Sequence, residues 1–119
     1  MANLDLREAN GVTIVDVPGR VTLGESATAL REGLRDLTVQ GHKKIVLNLA
    51  NTSFLDSTAL GVLVSAFATA SSAGGQIKLC NLGKRVNDLL LVTKLYTVFE
   101  VFNDEASALR SFDAQAAKA

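Results

Sequence analysis

The chain has no tryptophan, one proline, one histidine and one cysteine, and its charge sums to zero. Each scarcity excludes something. A lone Cys80 closes no internal disulfide, so this is not a stapled secreted scaffold. It lies in the alternating stretch "GQIKLCNL" and reads as a small buried hydrophobe. One histidine and one cysteine, far apart in sequence, give no metal-ligand spacing. Twelve basic residues against twelve acidic ones leave no electrostatic footprint for nucleic acid or an anionic membrane. The apolar runs are too short to span a bilayer. The opening "MANLDLREANG" has neither a signal-peptide core nor an Arg-rich transit pattern. These features read as a cytoplasmic protein with no direct membrane insertion.

What is present is ample core material. Hydrophobic residues make up 48% of 119, enough for one domain without staples. The expected domain is 1–113, with a flexible tail over 114–119. No internal repeat and no linker interrupts it. "LDLRE" and "VTIVDV" flank an Asn-Gly turn and predict a β-hairpin. Pro18 and Gly19 close its second strand. "ESATALREGLRDLTVQG" is helical, with Ala27, Leu30, Leu34 and Leu37 inward and Gly41 as the stop. "KIVLNLA" is apolar on both faces, which predicts a central strand. Asn48 is its polar exception and suits a buried hydrogen-bonding support.

The next helix places Leu60, Leu63, Val64 and Phe67 on one stripe, thickened by Ala66, Ala70 and Ala73. "QIKLCNL" is a strand, "KRVNDLLLVTKL" a short helix, and "TVFEVF" a last strand. "DEASALRSF" is a final helix with Asp104 as cap and Ala106, Leu109 and Phe112 inward. Strands alternating with helices predict an α/β fold: a mixed, mostly parallel sheet opened by an antiparallel hairpin.

The chemistry concentrates in "NTSFLDSTALGVLVSAFATA", residues 51–70. Asp56, Ser57 and Thr58 stand at the mouth of an apolar helix. They read as a helix cap, a nucleophile or a modifiable serine. A nucleophile needs a base. The one histidine, His42, lies at the other end of the strand, roughly 20 Å away at about 3.3 Å per residue. It reads as a solvated loop residue. No G-x-S-x-G elbow, P-loop or G-x-G-x-x-G is present. The chain therefore reads as a non-enzyme with no cofactor and no metal.

Spacing alone leaves cap and modification site open, since Asp, Ser and Thr all favour the N-cap. Three capping types in a row exceed what one helix start needs. The small residues of "TALG" leave the backbone open to a partner. A phosphate on Ser57 would meet the positive end of the helix dipole.

"IVLNLANTSFLDSTALGVLVSA", followed by "GGQIKLCNL", "VNDLLLVTKLYTVFEVF" and "EASAL", resembles the STAS family (sulphate transporter and anti-sigma factor antagonist). The likeness covers nearly the whole chain, and the Asp-Ser-Thr segment is its most specific part. "GRVTLGES" resembles the family's loop between second strand and first helix. The resemblance implies about four helices packed mainly on one face of the sheet. It implies an anti-sigma factor antagonist that binds an anti-sigma factor, itself a GHKL-type serine kinase. Phosphorylation of Ser57, with Thr58 second, would eject the antagonist, and a PP2C-type phosphatase would reset it. Partner contacts would come from Asp56, Ser57, Thr58, Leu60, Gly61, Arg20, Thr22 and Gly24. The alternative role in the family is a scaffold of a signalling complex or a subunit of a lipid ABC transporter. Three positions depart from the usual pattern: Ala59 and Lys94 where Gly is common, and Thr22 near a frequent Asp.

Overall fold

The computed structural model describes residues 4–118, and side chains over 4–113. The expected tail at 114–119 lies outside the described side chains. β1 (Asp5–Ala9) and β2 (Val12–Asp16) form the antiparallel hairpin. Asn10 and Gly11 both have positive φ, 54° and 78°, the conformation of a type I′ turn. That turn matches the twist of the flanking strands, and Asn-Gly is its preferred sequence.

Four strands then run parallel: β2, β4 (Lys44–Asn48), β6 (Gln76–Cys80) and β7 (Glu100–Phe102). The sheet order is β1-β2-β4-β6-β7, so β4 is central, as its two apolar faces predict. Three helices cover one face: α1 (Glu25–Val39), α2 (Ser57–Ser72) and α3 (Lys84–Val92). Their Leu30, Leu34, Leu60, Leu63 and Leu90 pack with Ile45, Leu47, Ile77 and Leu79. The alternate residues of the same strands face the other way. There Val12, Ile14, Val46 and Cys80 meet Ala108 and Phe112 of α4 (Glu105–Lys118). Three helices on one face and one on the other make the fold expected.

A second, two-stranded sheet was not legible in the sequence: β3 (Arg20–Val21) pairs in parallel with β5 (Phe54–Leu55). Other expectations need correction. "TVFEVF" is strand only over Glu100–Phe102, because Leu95–Thr97 forms a 3-10 turn behind Lys94. Val64 is 37% exposed and Ala73 is exposed. α1 lies along the Val62 side of α2, which turns the buried arc toward Val62 and away from Val64. In α4 the Asp104 cap sets a register that buries Ala108 and Phe112, one turn apart. Ala106, two residues off that stripe, is exposed. His42 is half-buried rather than solvated, with Nδ1 2.9 Å from Thr13 Oγ1.

Helices α1 and α2 end in the same motif. His42 N–H donates to Leu37 O and Gly41 N–H to Thr38 O; Gly75 N–H donates to Ala70 O and Gly74 N–H to Ser71 O. This is the Schellman arrangement, with Gly41 and Gly74 in the left-handed region. α3 puts Lys94 in that position, at φ 61°.

Candidate functional site

Asp56 is the cap of α2. Its Oδ1 accepts from Ala59 N–H at 2.9 Å, and its backbone is extended as an N-cap requires. Its Oδ2 accepts from Leu23 N–H at 2.8 Å, across from the segment between β3 and α1. These two amide bonds hold its carboxyl below the usual range, the Ala59 bond contributing most. One carboxylate thus starts α2 and anchors the facing loop.

With Asp56 as cap, Ser57 has no such task. Its side chain is exposed and its hydroxyl has no hydrogen-bond partner among the described residues. Thr58 is half-buried beside it, and Gly61 is exposed one turn further on. Leu60 points inward, 9% exposed, and packs in the core.

The facing loop is held in place by hydroxyls and backbone. Thr52 Oγ1 donates toward Val17 O and Pro18 O, at 3.2 and 2.9 Å. Ser53 donates to Gly19 O through both N–H and Oγ, at 2.7 and 3.1 Å. The β3–β5 pairing then aligns Arg20 with Phe54 and Val21 with Leu55. The Arg20 guanidinium lies 4.8 Å from the Phe54 ring centroid, a cation–π contact. Thr22 and Ser26 exchange hydrogen bonds, Thr22 N–H to Ser26 Oγ and Ser26 Oγ to Thr22 O. Gly24 caps α1 with no side chain. Arg20, Thr22 and Gly24 therefore lie on one continuous segment pinned to Asp56 through Leu23. Leu23 itself, 78% exposed, was not singled out in the sequence. A lone leucine between Thr and Gly carries no periodic signal.

The STAS domain profile matches residues 3–108. The chain belongs to the STAS family. Among STAS relatives, the anti-sigma-B factor antagonist of Bacillus subtilis is 33% identical over 99 residues, covering 83% of this chain and 89% of the relative. A crystal structure of an anti-sigma factor antagonist from Mycobacterium paratuberculosis superposes with a TM-score of 0.80 at 20% identity, covering 92% of each chain. The Bacillus cell fate determinant SpoIIAA, solved in its phosphorylated form, gives 0.71 at 16% identity, covering 92% of this chain and 99% of that one. These likenesses establish the STAS fold over nearly the whole chain.

Other polar groups of this STAS domain serve structure. Asn48 is the support its sequence position suggests. Its Nδ2 donates to Asp16 Oδ1 at 2.7 Å, while its Oδ1 accepts from Ala50 N–H and Asn81 Nδ2. Arg7 binds Asp16 through two nitrogens, at 2.7 and 2.8 Å, and reaches Glu105 at 2.6 Å. That bidentate bond is the main cause of the lowered Asp16 carboxyl. Burial pushes the Cys80 thiol up to about 11, which suits an inert core residue. His42 lies at the opposite end of β4 from Ser57 and is bonded to Thr13. Among the described residues, no cluster of His, Cys, Asp or Glu is fit to hold a metal. None of their helices is long and apolar enough to cross a membrane.

Proposed function

We propose that this STAS protein is an anti-sigma factor antagonist working by protein–protein contact. In its unphosphorylated form it docks on an anti-sigma factor that is also a GHKL-type serine kinase. Phosphorylation of Ser57 releases it, and a PP2C-type phosphatase restores it. The docking face comprises Arg20, Thr22 and Gly24 on one side, and Asp56, Ser57, Thr58 and Gly61 on the other; Leu60, expected there from the resemblance, is buried in the core beneath it.

One observation carries this reading. Asp56 performs the capping, which leaves Ser57 exposed, unbonded and structurally dispensable at a helix start. A serine retained for stability would hold the cap itself. Asp56 would present Ser57 by fixing the first turn against the loop at Leu23.

The test is incubation of the purified chain with the GHKL kinases of its own genome and ATP, followed by intact mass and peptide mapping. One added phosphate on Ser57, absent from Ser57→Ala, is expected. Phosphate mapping to Thr58 or Ser53 overturns the assignment.

A further inference from the structure

The outer seam between α1 and α2 holds a depression of about 300 Å³, lined by Arg31, Leu34, Arg35, Thr38, Val62, Ser65, Ala66 and Thr69. That volume is at the lower end of small-molecule sites, about 300–1,000 Å³. The lining is two matching helical stripes, residues at i, i+3, i+4 and i+7 on each helix.

Two features of the lining point to an occupant. Arg31 and Arg35 stand one turn apart on α1, where like charges repel. Neither pairs with an acidic side chain among the described residues, although Glu32 and Asp36 are their chain neighbours. Both arginines line the hollow, and among the described residues no acidic one does. The second feature is the opposite wall. Ser65 and Thr69 are exposed, and their hydroxyls have no partner among the described residues. The hollow therefore has hydrogen-bond donors on both walls.

More of its lining is apolar than polar. Leu34 and Val62 close the floor, only 1% and 5% exposed, so a short apolar group would pack on Ala66, the threonine methyls and the arginine stems.

We propose that the α1–α2 seam is a binding site for a small oxyanion, carboxylate or phosphate, carried on a short apolar group. The two arginines take the anionic oxygens, a geometry guanidinium forks favour for both head groups. Ser65 and Thr69 donate to it from α2. The site's hydroxyl wall lies along α2 from the proposed phosphorylation position, Ser65 being eight residues from Ser57, about 12 Å at 1.5 Å per residue, although Val62 of the lining adjoins Gly61 of the docking face.

The test uses the isotope-labelled full chain and amide NMR spectra, with phenyl phosphate and hexanoate as probes. Benzyl alcohol is the neutral control and Ser57→Ala the control for the docking face. Saturable shifts confined to amides of residues 31–38 and 62–69 are expected, with none from benzyl alcohol. Arg31→Gln and Arg35→Gln should each weaken binding at least fivefold, while Arg110→Gln, on α4, and Ser57→Ala bind as wild type. The same spectra verify that each variant is folded. A response to only one anionic probe supports the site and identifies its head group. Shifts that do not saturate, that spread over the surface, or that survive in the Arg31→Gln/Arg35→Gln double variant overturn it. So does an equal response to benzyl alcohol. Loss of phosphorylation at Ser57 leaves this result untouched, so the two readings fail separately.

Discussion

At the scale of single residues, division of labour explains the helix start. Three neighbouring side chains are competent to cap α2, and only Asp56 does so. Asp56→Ala should therefore lower the denaturation midpoint clearly, since it frees Ala59 N–H and Leu23 N–H together. Ser57→Ala should stay within about 0.5 kcal/mol of wild type, as exposed substitutions do. Paired urea titrations compare them, and equal losses would count against Asp56 as sole cap. Sequence spacing gave no means to choose among Asp56, Ser57 and Thr58, because the choice depends on Leu23, 33 residues away. Lys94 is the second residue-scale case. It occupies the left-handed position that Gly41 and Gly74 fill after α1 and α2. Left-handed backbone strains a residue with a Cβ, whereas glycine pays mainly in unfolded-state entropy. Lys94→Gly should stabilise the domain by about 0.5–1 kcal/mol net, read as a higher urea midpoint.

Elements are held together by contacts whose partners lie far apart in the chain. Helix α4 is fastened to the sheet by Phe112 and Ala108 beneath it, and by the Arg7–Glu105 pair at its start. Arg7 also grips Asp16, so one edge strand ties β2 to α4. Arg7→Ala should raise amide exchange in α4 ahead of α1 and α2. The pH dependence follows from Asp16, whose folded carboxyl titrates below its unfolded value of about 3.9. A depressed carboxyl adds stability above the unfolded value and loses it as pH falls through the folded one. The gap between wild type and Arg7→Ala should thus be full near pH 6 and shrink steadily below about pH 3.9. Urea midpoints across that range check it, and a constant gap would remove Asp16 from the account. Periodic elements such as α1 and β4 were legible in the sequence because their apolar residues repeat at the spacing of the element. β3 and β5 were not, since two residues have no period and their pairing is imposed by the Thr52 and Ser53 tethers. Val64 failed for a related reason: which arc of α2 is buried depends on where α1 lies.

For the molecule as a whole, the proposed switch requires one added group to change docking without changing the fold. A phosphoserine carries about −1.5 to −2 charges at neutral pH. At Ser57 that charge lies in the first turn of α2, where the helix dipole favours anions by up to about 2 kcal/mol. Only the adjacent Asp56 carboxylate opposes it nearby in sequence. Within the domain these effects offset one another, and nothing packed depends on the Ser57 hydroxyl. At an interface the balance reverses. A surface fitted to a small hydroxyl would have to strip water from a charged group and leave it unpaired. Such a buried charge costs several kcal/mol, and about 1.4 kcal/mol is tenfold in affinity. Ser57→Asp should accordingly weaken docking on the cognate kinase at least tenfold while leaving the thermal midpoint nearly unchanged. Thr58→Ala, which adds no charge, should keep most of the affinity. Calorimetry and circular dichroism on the same samples separate the two quantities. Wild-type affinity in Ser57→Asp, or loss of binding that tracks loss of folded protein, would remove charge as the agent of release.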